Sequence, residues 1–156
     1  MEPGCIAIVP GLSVENGAIP DVMRGEETQV FGALQILGLS DARLVLPGTH
    51  SKWVAVKDHQ ITDFSTWMTG EFYALLRQHS ILSGLVIGEE LRCQRLASGD
   101  TVIIMGAEAL AARYEQAPGL LGVSCRQVGS EASWLGLRAI ADTLTAAQGN
   151  CIYPRA

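Results

Sequence analysis

Between residues 42 and 67 three β signals follow one another almost without pause, and this run constrains the fold more than any other feature of the chain. ARLVLP is a continuous apolar stretch, KWVAVKD alternates apolar and polar residues, and QITDFST alternates again. Period-two alternation lets a strand bury one face and wet the other. KDHQ predicts a tight hairpin between the second and third strands, so the three read as antiparallel neighbours. The turn between the first two is unusual, because PGTHSK places two hydroxyls, an imidazole and an ammonium where a bland turn needs only a Gly or Asn.

After TWMTG the period becomes helical. EFYALLRQHSIL and SGLVIGEELRCQRL both carry apolar residues at helical spacing, DTVIIMG is a buried strand, and AEALAARYEQA is a helix. GVSCRQV is a weaker strand, and SEASWLGLRAIADTLTAAQ a closing amphipathic helix. Upstream, CIAIVPGL predicts a short strand stopped by Pro10 and Gly11, VENGAIPDVMRG a loop, and EETQVFGALQILG a helix closed by Gly38. Three antiparallel strands followed by βα units describe an α/β, ribonuclease-H-like domain, a mixed sheet with helices on both faces.

At 156 residues, with 48% apolar residues, the chain is long enough for one substantial core. Charged residues make up 17%, below the usual share, which suits buried strands or a surface covered by a partner. A net charge of −5, with no arginine-rich stripe, argues against nucleic-acid binding. No apolar run is long enough for a membrane helix, and MEPGCIAIVPGL lacks the features of a signal peptide. The expected location is cytoplasmic. Cys5, Cys93, Cys125 and Cys151 lie far apart without zinc spacing and read as buried or inert thiols.

Three segments carry chemistry. In PGTHSK, amides freed by Gly48 and the hydroxyls of Thr49 and Ser51 suit an anion, with Lys52 as a point charge; an ordinary polar turn is the alternative. In MRGEETQ, Glu26 or Glu27 suits a general base and Arg24 a carboxylate clamp, although acids at a helix start also answer the helix dipole. In IIMGAEAL, a glycine between strand and helix lets a ligand approach the backbone closely. TGE at 69–71 is a junction of the same kind, with Thr69 read as a cap. Among the histidines, His50 lies in the suspect turn, His59 in KDHQ and His79 on a helix, and no Ser-His-Asp grouping stands out.

Read in order, IVPGLS, PDVMRGEETQVFGAL, LPGTHSKWV, FSTWMTGEFYALLRQHSIL, SGLVIGEEL and MGAEALAARYEQA resemble the 2-dehydro-3-deoxygalactonokinase family of the actin/hexokinase-like ATPase superfamily. The resemblance implies transfer of the ATP γ-phosphoryl group to the 6-hydroxyl of 2-dehydro-3-deoxy-galactonate with Mg²⁺, in galactonate breakdown. It implies that Gly48 and Thr49 line the ATP phosphates, with Ser51 and Lys52 as helpers. Glu26 is implied as the catalytic base ahead of Glu27, by similarity of GEETQVFG to the GDQQ-type segment of related sugar kinases. Arg24 and Gly25 fall on the substrate side, and Gly106 and Ala107 on the adenosine side. No Mg²⁺ ligand is assigned, since no DxGxT hairpin occurs in the sequence.

The resemblance further implies a C-terminal portion of such a kinase. Residues 1–40 read as a remnant of the inter-domain segment and 41–156 as the ribonuclease-H-like domain, with a helical insertion missing between Leu82 and Ser83. On that reading the isolated chain is expected to be a poor kinase or none. The competing expectation is a non-catalytic ribonuclease-H-like module that binds a partner or pairs with a second copy of itself. A ribonuclease-H-type nuclease is disfavoured, because LVLPG supplies no metal-holding carboxylate on the first strand.

Overall fold

The three predicted strands form as expected. In the computed structural model, which describes residues 8–15, 19–76, 80–106, 108–119 and 121–148, they are β3 (Ala42–Leu46), β4 (Ser51–Lys57) and β5 (Gln60–Trp67). Register runs from Ala42 opposite Val56 to Leu46 opposite Lys52, and from Ser51 opposite Trp67 to Lys57 opposite Gln60, both antiparallel. Asp58 and His59 close the second hairpin with φ of 50° and 60°, the left-handed conformation that matches the twist of paired strands.

Two further strands, β6 (Thr101–Met105) and β7 (Ser124–Val128), add in parallel to give the order β5-β4-β3-β6-β7. Parallel strands cannot be joined by a tight turn, and here helices make the crossovers. α2 (Thr69–Leu76) and α3 (Ser80–Cys93) lie between β5 and β6, and α4 (Glu108–Gly119) between β6 and β7. α5 (Glu131–Gln148) follows β7, and α1 (Glu26–Leu37) precedes the sheet. Alternating side chains divide the core in two. Leu44, Leu46, Val54, Ile103, Met105 and Val128 meet α1 and α5 on one face. Val45, Trp53, Val102 and Ile104 meet Ile87 and Leu91 of α3 and Tyr114 of α4 on the other.

Three details differ from the sequence reading. The first strand, β1, is Leu12–Val14 rather than CIAIVPGL, and it pairs antiparallel with β2 (Asp21–Met23), which sits inside the segment read as loop. Residues Cys5–Ala7 lie outside the described residues. The helix boundary expected between Leu82 and Ser83 is absent, since α3 runs through it; α2 ends at Leu76, and His79 lies outside the described residues. Cys93 is exposed rather than buried, while Cys125 is half-buried and burial raises its thiol pKa.

α1 and α5 approach each other unusually closely. A Cβ built on Gly136 would lie 1.5 Å from the Thr28 carbonyl oxygen, and one on Gly32 would lie 1.7 Å from the Ala132 carbonyl oxygen. Farther along, Phe31, Leu34 and Gly38 border a groove with Ala139, Ile140 and Thr143, so the two helices run in the same direction. Because α5 starts just after the end of β7, the start of α1 is brought to the carboxyl-end edge of the parallel strands.

Candidate functional site

That edge is where ligands bind in open α/β sheets, outside the carboxyl ends of the strands. β3 ends at Leu46 and leads into Pro47–His50, and β6 ends at Met105 and leads into Gly106. Three glycine-bearing junctions meet here. A Cβ on Gly70, in the first turn of α2, would lie 1.8 Å from the Gly48 carbonyl oxygen. A Cβ on Gly106 would lie 3.0 Å from the Pro47 carbonyl oxygen. The Glu71 backbone N–H donates to the Thr49 carbonyl at 2.9 Å, fastening α2 to the turn.

Thr49 and His50 are exposed, and among the described residues nothing accepts a hydrogen bond from the backbone N–H of Gly48 or Thr49. The concave turn thus offers free amides with the start of α4 nearby, which suits a phosphate group. The His50 Nε2 stands 3.3 Å from the exposed Glu71 Oε2. Ala107 lies outside the described residues.

Ser51 and Lys52 follow the turn in sequence but are buried on opposite faces of β4. Ser51 is fully buried and donates to Glu90 at 2.7 Å. Lys52 is 7% exposed; its ammonium donates to the Val22 carbonyl at 2.7 Å and to Thr66 Oγ1 at 2.6 Å, with Asp21 at 4.0 Å. Asp21 in turn accepts from the Thr66 N–H and hydroxyl, each at 2.6 Å. This knot pins β2 to the ends of β4 and β5.

β2 leads into the acidic segment. Gly25, with φ of 101°, caps α1, a conformation side chains rarely adopt. Glu27 is buried and takes the Gly25 N–H with both carboxylate oxygens, at 2.9 and 2.7 Å. Glu26 is half-buried and takes the Arg24 N–H at 2.8 Å. Both acids therefore satisfy amides at the helix start, as the dipole argument expects. Glu26 is the more open of the two, and the Arg24 side chain is exposed beside it.

Sequence reasoning gave TGE a capping reading and assigned no role to Glu90. Thr69 opens α2, yet its hydroxyl donates to Glu90 instead of capping the helix. The signal for Gly70 was present, since TGE repeats the junction pattern of MGAE. Glu90 carries none, because its partners come from distant segments. The packing makes one local prediction: Gly70→Ala should push α2 away from Gly48, costing about 2 kcal/mol. Urea unfolding would measure it, and Glu71→Ala should cost less, because its backbone N–H remains.

A family model described as 2-keto-3-deoxy-galactonokinase matches residues 2–83 and 80–140. The Rhizobium meliloti (strain 1021) protein described as a probable 2-dehydro-3-deoxygalactonokinase is 49% identical over 81 residues, covering 52% of this chain and 26% of its own. The 2-dehydro-3-deoxygalactonokinase of Escherichia coli (strain K12) is 32% identical over 191 residues, covering 87% of this chain and 65% of its own. A crystal structure of a Sinorhizobium meliloti protein bearing the same description superposes with a TM-score of 0.68 at 28% identity, over 86% of this chain and 64% of that one. The chain spans less than two thirds of the length of each relative.

Proposed function

This chain belongs to the 2-keto-3-deoxy-galactonokinase family, and on that footing we propose that it carries the phosphate-gripping part of a sugar-acid kinase. The reaction is transfer of the γ-phosphoryl group of ATP to the 6-hydroxyl of 2-dehydro-3-deoxy-galactonate. The observation that carries this reading is the meeting of Gly48–Thr49, Gly70 and Gly106 at the carboxyl ends of β3 and β6.

In the reaction the substrate oxygen bonds to the γ-phosphorus as the bond to the β-phosphate bridging oxygen breaks, releasing ADP. Glu26 accepts the hydroxyl proton, Arg24 holds the substrate carboxylate, and Gly25 lets the substrate approach the backbone. Glu27 holds the Gly25 backbone and so fixes the direction of Glu26. The amides of Gly48 and Thr49, with the Thr49 hydroxyl, take the phosphates, and Gly106 and Ala107 face the adenosine side. Ser51 and Lys52 support the turn from behind.

Mg²⁺ would neutralise phosphate charge and fix its geometry. Residues 1–40 would serve as the inter-domain segment and 41–156 as the C-terminal domain. The two family-model segments meet at residues 80–83, and this supports the reading that relatives carry extra helix there.

Calorimetric titration with Mg·ATP tests the site. Thr49→Ala should weaken binding about tenfold, the effect of one hydrogen bond to a charged group. A wild-type chain that binds Mg·ATP equally well with Thr49→Ala would sink the assignment of the turn. A second reading, self-association of a non-catalytic module, is favoured by the apolar groove between α2 and α3, bordered by Trp67, Met68, Phe72, Leu85 and Val86. Sedimentation of a chain that gives no heat with Mg·ATP would decide it.

A further inference from the structure

Glu90 sits on α3 with 1% of its surface exposed. Four donors converge on it from three segments. Ser51 Oγ (2.7 Å) and Trp53 Nε1 (2.5 Å), both on β4, donate to Oε1. The Thr69 hydroxyl at the start of α2 and the Tyr114 hydroxyl on α4 (2.7 Å) donate to Oε2. Burial, reinforced by the charge of Glu90, pushes the Tyr114 phenol well above its usual range, so it stays a donor.

Each of those segments borders the candidate phosphate cradle. Ser51 follows the Gly48–His50 turn, Thr69 precedes the Gly70 that presses on Gly48, and α4 follows Gly106. A carboxylate desolvated this fully is costly unless its lone pairs are filled, and here each oxygen receives two donors. Such a group tolerates few arrangements of its neighbours.

We propose that Glu90 is a positioning residue, clamping the turn, the start of α2 and α4 into the arrangement that receives the nucleotide phosphates. The inference rests on the kinase reading for its purpose, but the clamp itself is a property of the unliganded chain. Glu90 touches no substrate; it acts through the backbone of residues 47–50 and 69–71.

The test compares Glu90→Gln, Thr69→Val and Thr69→Ser with the wild-type chain by hydrogen exchange and by titration with Mg·ATP and with adenosine. In Glu90→Gln and Thr69→Val, exchange should speed about tenfold at the Glu71 and Phe72 amides, which bond the Thr49 and Met68 carbonyls, while α1 and α5 keep their protection. Mg·ATP affinity should fall about tenfold with adenosine affinity nearly unchanged, and Thr69→Ser should restore both. Unchanged exchange at Glu71 and Phe72, or equal acceleration throughout the sheet and α1, overturns the proposal. If Glu90→Gln does not fold, the two Thr69 variants decide. If the wild-type chain gives no heat with Mg·ATP, the kinase reading fails for this chain, and the exchange data alone still decide whether Glu90 is the clamp.

Discussion

Gly136→Ala should destabilise the chain by about 3 kcal/mol, more than any other single methyl added to it. The added carbon would land 1.5 Å from the Thr28 carbonyl oxygen and 2.9 Å from the Gly32 nitrogen, both backbone atoms that no rotamer change can move aside. The helices must separate, and Val30, Ala33 and Leu34, buried between α1 and the sheet, then lose contacts. Gly88→Ala, in α3 with nothing within 4 Å, is the control. It should stabilise by up to about 1 kcal/mol through helix propensity alone. Opposite shifts of the urea midpoint would establish the crossing; a neutral Gly136→Ala would show that α1 and α5 sit farther apart.

Lys52→Met should cost the unliganded chain about 2 kcal/mol. Methionine fills the space of the stem but leaves the Val22 carbonyl without its ammonium donor and Asp21 without its nearby cation. It also removes the cation from above the Phe64 ring, 5.9 Å from its centroid. β2 loosens as a result, and β2 holds the lead into Arg24–Glu27. Urea unfolding without nucleotide separates the two roles argued for this residue. A lysine that served bound phosphates alone would leave that midpoint unchanged.

Lys52 also shows where the sequence was readable and where it was not. The strands from Ala42 to Trp67, and the helix from Glu26 to Leu37, follow from local periodicity, and they form within a residue or two of expectation. β1 and β2 were unreadable because three-residue strands are too short to display alternation. The helix boundary at Leu82 was misplaced because apolar spacing carries on across it without a breaker. For the site, adjacency in sequence drew Ser51 and Lys52 into the same cluster as Gly48 and Thr49. Direction was the missing information, since β4 buries both side chains. Glu90 was invisible for a related reason. GEE on a helix reads as solvated charge, and only the fold reveals donors from residues 51, 53, 69 and 114 gathered around it.

The pairing of α1 with α5 sets an order of events in folding. Thr28 and Gly136 are separated by more than a hundred residues, and no contact in the sheet spans so much chain. The hairpins β3-β4 and β4-β5 can close within microseconds of becoming available, because their loops are short. α1 has no comparable local partner, and the face it turns to α5 stays uncovered until that helix has been made. During synthesis the Arg24–Glu27 segment leaves the ribosome well ahead of the α5 residues that pack beside it, and it therefore acquires its native shape late.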